Sequence, residues 1–133
     1  MSNVLQLQAY KRNQLTTTDP MTALLMLYQG TIDALNRAQA SMAAGDMAVK
    51  GREILRANDI IHQFLVSLDY EIGGELVNNL EGLYRYMLDQ ILIANVKNDP
   101  APLAVVCSLL STLKSGWEEA IANQRKQIAQ GEG

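Results

Sequence analysis

The sequence has 133 residues, 48% of them hydrophobic, and a formal net charge of −3 with acids and bases interspersed. That suits one domain with a single core and excludes the clustered Lys and Arg through which a protein displaces counterions from a phosphate backbone, so nucleic acid is not an expected partner. A single cysteine, Cys107, excludes an intramolecular disulfide and favours a reducing compartment; no apolar run approaches the ~18 residues of a membrane span, and Met1 to Leu15 has no basic segment leading into an apolar one. The expectation is a cytoplasmic chain without membrane insertion.

Residues 1–18, MSNVLQLQAYKRNQLTTT, are poorer in apolar residues than the rest, yet Val4, Leu5, Leu7 and Tyr10 are spaced for one face of a short helix. The segment is either a frayed terminus or a docking segment in which Leu7 and Tyr10, one turn apart, plug a groove on the body of the protein. Asp19-Pro20 then gives an N-cap followed by proline at the first helical position, where a missing N–H costs nothing. The first long helix carries Met21, Leu24 with Leu25, Tyr28, Ile32, Leu35, Ala38 and Met42 on one face, and Gly45 is its stop. Asp46 caps a second helix with Met47, Ile54, Ala57, Ile61, Phe64 with Leu65, and Leu68, predicted to end near Ile72 at Gly73-Gly74.

The third helix, between Gly73 and Pro100, has the clearest stripe: Leu76, Leu80, Leu83 with Tyr84, Met87 with Leu88, Ile91, and Ala94 with Asn95. At about 1.5 Å per residue it spans roughly 30 to 36 Å, so a partner of equal length must cover it. Asp99-Pro100 repeats the Asp19-Pro20 start signal, and a fourth helix follows with Leu103, Val106, Leu110, Leu113, Trp117, Ala120 with Ile121, and Ile128, loosening beyond Lys126. Short connections between successive helices predict an all-α fold: an antiparallel up-down-up-down four-helix bundle over residues 19–130, one domain, preceded by the 1–18 docking segment.

Two features exceed what a closed bundle requires. Met26, Leu27, Ile60, Val77, Leu92, Ile93, Val105 and Leu109 lie beside the main stripes, so several helices are apolar over more than one face. Each helix also contains an interior glycine, Gly30, Gly51, Gly82 and Gly116, costing about 1 kcal/mol relative to alanine in an exposed position. Close helix–helix contact is the first explanation for them, and shallow grooves that admit another backbone are the second. Asn58, Asn79 and Asn95 lie at or beside the stripes, where their amides bond to each other or to an incoming backbone. Tyr28 and Tyr84 suit core-edge packing and partner contact equally, since a tyrosine offers apolar area with a polar tip.

Nothing in the sequence reads as catalysis. His62 is the only histidine, and Asp59 with His62 supplies only half of the carboxylate and histidine set that a di-iron bundle needs. Cys107 sits between Val106 and Leu110 without a histidine nearby, as a buried inert thiol does. No phosphate-cradling glycine loop and no nucleophile elbow occurs, so neither cofactor nor metal is expected. Lys50, Arg52 and Arg56 in the second helix, and Glu118, Glu119, Arg125 and Lys126 in the fourth, read as solvated faces.

Individual segments match a known family. Ala9-Tyr10, Met26-Leu27-Tyr28-Gln29-Gly30, Ala57 with Ile60-Ile61, Leu65 and Leu68-Asp69, Gly73-Gly74-Glu75, Leu83-Tyr84-Arg85-Tyr86-Met87, Ala94-Asn95-Val96-Lys97-Asn98-Asp99 and Trp117 together resemble the flagellar secretion chaperone FliS, over essentially residues 7–125. The resemblance implies a cytosolic export chaperone, not an enzyme. Such a chaperone binds the disordered C-terminal region of flagellin, prevents premature polymerisation, and delivers the client to a gate component of the flagellar type III export apparatus. Leu7 stands where another aliphatic is often found. The expected partner-binding residues are Leu7, Tyr10, Ala57, Ile61, Leu80, Tyr84, Leu88 and Asn95, with Tyr10 anchoring either the N-terminal segment or the client. A weak homodimer is a further expectation. The alternative function is a helical regulatory or assembly subunit that uses its surplus apolar face to oligomerise.

Overall fold

The structure, a computed structural model, describes residues 20–131. These form four helices, α1 (Pro20–Ala44), α2 (Met47–Ser67), α3 (Glu75–Lys97) and α4 (Ala101–Gly131), with no strand among the described residues. α1 packs against α2 and α4, and α3 packs against the same two, so α1 faces α3 and α2 faces α4 across the diagonals. Contacts between distant residues fix the directions. Tyr28 near the start of α1 meets Phe64 near the end of α2, while Gln39 near the end of α1 meets Cys107 near the start of α4. The bundle is antiparallel, up-down-up-down.

The turn chemistry explains why the helices stop where they do. At the end of α1, Gly45 takes φ 76, and the amides of Gly45 and Asp46 turn back to the carbonyls of Met42 and Ser41. That reciprocal closure needs a left-handed residue, which glycine supplies without a Cβ clash. Asp46 then starts α2 by accepting the Val49 amide at 3.1 Å. Asn98 ends α3 in the same way, left-handed at φ 51, with the Asp99 amide on the Ala94 carbonyl. The Asp99 carboxylate next accepts the Ala101 amide at 3.0 Å, so the Asp-Pro signal at 99–100 does open α4. Asp19 lies outside the described residues.

Three expectations about these elements are corrected. α2 ends at Ser67, not near Ile72, because the Asp69 carboxylate accepts the amides of Glu71 and Ile72 at 3.1 and 3.2 Å and so stabilises a turn in place of another helical turn. α4 continues to Gly131 past Lys126, since the segment from Ala122 to Gln130 contains no helix breaker, although every residue from Ala122 to Gly131 is exposed. Lys50 is not a solvated cation. It is buried, and its ammonium donates to the Asn95 carbonyl at 3.2 Å and the Asn98 side-chain oxygen at 3.1 Å. Helix ends leave carbonyls without intrahelical donors and carry partial negative charge, so a lysine from the neighbouring helix completes the end of α3.

The core follows the stripes except at Met47, Ala120 and Ile128, which are exposed, and at Leu76. Leu35, Ile61, Met87, Ile91, Leu103, Val106 and Leu110 are fully buried, with Leu88, Leu109, Leu113 and Trp117 packed around them. Leu76, in the first turn of α3, stays exposed. The interior glycines do not mark close packing: a Cβ built at Gly30, Gly51, Gly82 or Gly116 meets nothing within 4 Å.

Candidate functional site

Two parts of the molecule could carry function, an aromatic junction inside the bundle and the apolar surface outside it. The junction joins all four helices. The Phe64 ring on α2 lies between Tyr28 and Tyr84, with centroids 4.8 and 5.3 Å away, and both pairs are tilted as ring quadrupoles prefer. The hydroxyls of Tyr28 on α1 and Tyr84 on α3 share a short hydrogen bond across the diagonal. The Trp117 indole N–H on α4 donates to the Tyr28 hydroxyl at 3.1 Å. Tyr28 therefore serves both neighbours, accepting from Trp117 while bonded to Tyr84. Burial, followed by the bond and charge of Tyr28, pushes the Tyr84 hydroxyl far above the usual phenol range, because a phenolate there would have neither water nor a cation. The junction holds the bundle together and presents no accessible reactive atom.

The remaining chemistry-bearing side chains are structural or exposed. The Cys107 thiol is pushed up by burial, which outweighs the bond from Gln39, so it is a poor nucleophile. His62 and Asp59 are both exposed on α2, and among the described residues no group of three or more His, Cys, Asp or Glu is placed to hold a metal. Arg37 pairs with Glu53 at 3.2 Å, Arg85 with Glu81 at 3.0 Å and Lys114 with Glu118 at 3.4 Å. No described helix is long and apolar enough to cross a membrane.

Outside, every helix exposes large apolar side chains. Met26 on α1 is 62% exposed, Val66 on α2 84%, and Leu92 and Val96 on α3 60% and 75%; Val105 on α4 and Tyr70 and Ile72 in the α2–α3 turn are exposed too. The seam between α1 and α2 is grooved from the start of α1 as far as Leu27, and the groove continues over α2 alone to Arg52. Three adjoining depressions all border Gln63; Pro20, Met21, Ala23 and Leu24 line one end, Leu27 and Ile60 the middle, and Leu55, Arg52 and Arg56 the other end. Ile60 of the expected surplus set proves buried, its face covered by packing, whereas Met26, Leu27, Leu92, Ile93 and Val105 remain exposed.

The sequence-based site residues fall into three groups. Leu7 and Tyr10, with the rest of the 1–18 segment, lie outside the described residues. Ala57, Ile61, Leu80 and Tyr84 are core side chains, at most 7% exposed. Leu88 is half-buried against the core and Asn95 is exposed. Of the amides, Asn58 has a buried side-chain oxygen without a partner, Asn79 is exposed, and Asn95 contributes its backbone carbonyl to Lys50. Leu55, Val66, Tyr70, Ile72 and Val96 are exposed apolar residues that the sequence reading did not single out. Their signal was present: each lies off the stripe of its helix or beyond the point where α2 stops.

The bundle uses its buried polar groups to close itself and leaves large apolar side chains exposed on all four helices. Comparison with known proteins identifies the group. The model of the family described as flagellar protein FliS matches residues 1–124, and the chain belongs to that family, which is one of flagellar export chaperones and not of enzymes. The chain is 38% identical over 117 residues to the flagellar secretion chaperone FliS of Vibrio cholerae, covering 85% of this chain and 86% of that protein. It is 36% identical to the Salmonella typhimurium protein of the same name, with 77% of each chain covered, and 31% identical to that of Bacillus subtilis, with 89% and 87% covered. A crystal structure of a bacterial flagellar chaperone shares the fold, with a TM-score of 0.75 over 89% of this chain and 98% of that one at 19% identity.

Proposed function

We propose that this protein is a cytosolic chaperone that binds the disordered C-terminal region of flagellin, keeps it from polymerising, and hands it to the export apparatus. The observation that carries the reading is the open apolar surface on all four helices of a bundle whose core is already complete. A client that folds as it binds can cover a large area of this kind, with helical pieces entering grooves and extended pieces crossing between them. Surface glycines at Gly30, Gly51, Gly82 and Gly116, beside which nothing packs, support it by giving an incoming backbone room to approach.

The test is calorimetric titration of the folded full-length protein with a peptide from the C-terminal region of the flagellin encoded in the same genome. Saturable one-to-one binding with a clearly negative heat-capacity change is expected, because coupled folding onto an apolar surface removes that surface from water. No binding at high micromolar concentration refutes the reading. A symmetric oligomer in sedimentation, indifferent to the peptide, replaces it with an assembly subunit.

A further inference from the structure

The α1/α2 seam has a feature that apolar client capture alone does not require. Its floor is apolar, formed by Leu24, Leu27 and Phe64, but its far end carries two arginines, Arg52 and Arg56, one turn apart on the same face of α2. Among the described residues neither makes an ion pair or a side-chain hydrogen bond. Of the other charges around them, two are engaged and the third, Asp59, lines the same depression one turn beyond Arg56. Glu53 is paired with Arg37; Asp33, one turn before Arg37 on α1, accepts from Gln29; and Asp59 borders the middle of the seam, without an ion pair to either guanidinium. In a chain whose net charge is −3, two unpaired guanidiniums against the single Asp59 carboxylate leave this end of the groove with a positive balance. From Arg52 to Ser67 the seam is about 22 Å long at ~1.5 Å per residue, the length of a four-turn helix.

We infer that the α1/α2 seam takes a client segment that is an amphipathic helix with acidic residues at one end of its apolar stripe, docked so that those carboxylates meet Arg52 and Arg56. The apolar floor supplies area, and the arginine pair fixes which way round the helix lies, since guanidinium forks recognise carboxylates in a defined geometry.

This inference rests on the client-binding reading above, and the experiment separates the two. The same flagellin peptide is titrated into the wild-type protein, into the Arg52→Gln/Arg56→Gln variant and into the Arg52→Glu/Arg56→Glu variant, at low and moderate salt. Both arginines are exposed, so unchanged thermal melting confirms that the variants fold. Two rim charge pairs of ordinary strength predict roughly tenfold weaker binding for the glutamine variant and a flatter salt dependence. The glutamate variant should be weaker still, and should recover on a peptide whose acidic residues are exchanged for lysine. Wild-type binding that both variants retain at full strength overturns the arginine assignment and leaves the chaperone reading standing. A wild-type protein that does not bind overturns both.

Discussion

The hydroxyl network at the four-helix junction is asymmetric, and this can be tested by removing one oxygen at a time. Among the described residues Tyr28 has two hydrogen-bond partners, Tyr84 and the Trp117 indole, whereas Tyr84 has only Tyr28. In Tyr28→Phe both partners are left without a bond; Tyr84 is 3% exposed, so its orphaned hydroxyl bears nearly the full desolvation cost, while the half-buried Trp117 N–H recovers part of its loss from water. An unmet buried donor or acceptor costs about 1–3 kcal/mol, which puts Tyr28→Phe at about 2 kcal/mol. In Tyr84→Phe the Tyr28 hydroxyl keeps Trp117, and only one modest net bond disappears, about 1 kcal/mol. Urea denaturation followed by far-UV circular dichroism should place the midpoint of Tyr28→Phe below that of Tyr84→Phe at an unchanged m-value. The double variant should cost less than the two single changes added together, because it removes both ends of the diagonal bond. A Tyr84→Phe protein as destabilised as Tyr28→Phe would refute the network as described.

Three further predictions follow from the same geometry. The Tyr84 hydroxyl is held far above the phenol range, so above about pH 10 the unfolded chain releases a proton that the folded chain keeps; stability must fall as pH rises, by up to ~1.4 kcal/mol per unit. Thermal melts between pH 9 and 11 should show a shallower decline for Tyr84→Phe than for the wild type. Lys50→Met keeps the aliphatic stem but leaves the Asn95 carbonyl and the Asn98 amide oxygen without their donor, which should cost about 2 kcal/mol and speed hydrogen exchange around the end of α3. Gly82→Ala should raise stability by up to ~1 kcal/mol, since its Cβ enters open space, and a melt that moves down would show that the position is strained in a way the backbone does not reveal.

The stripes of α1, α3 and α4 were legible because each combines a capping signal with apolar residues at three- and four-residue steps. Where the sequence misled, a polar side chain acted over distance or locally against the pattern. Lys50 reads as one more surface cation until α3 is folded alongside, when the carbonyl at Asn95 and the side chain of Asn98 come within its reach. Asp69 reads as part of a continuing helix, yet its carboxylate satisfies two amides of the following turn. The candidate site was harder still. Ala57, Ile61, Leu80 and Tyr84 share the periodicity of any groove floor, and only their enclosure by neighbouring helices distinguishes a core position from a contact. The outward residues Leu55, Val66 and Val96 were passed over because a periodic stripe directs attention to the face that folds, not to the face left over.

Trp117 is the only tryptophan in the chain, and it is bonded to the hydroxyl that ties α1 to α3. Its fluorescence is therefore a one-site optical signal from the point where all four helices meet. Excitation absorbed by Tyr28 and Tyr84 at such short range will pass largely to the indole, so tyrosine emission from the junction should emerge only when the helices separate. The loading and release of a client, if they loosen or tighten the bundle, can then be followed in real time on the unlabelled protein.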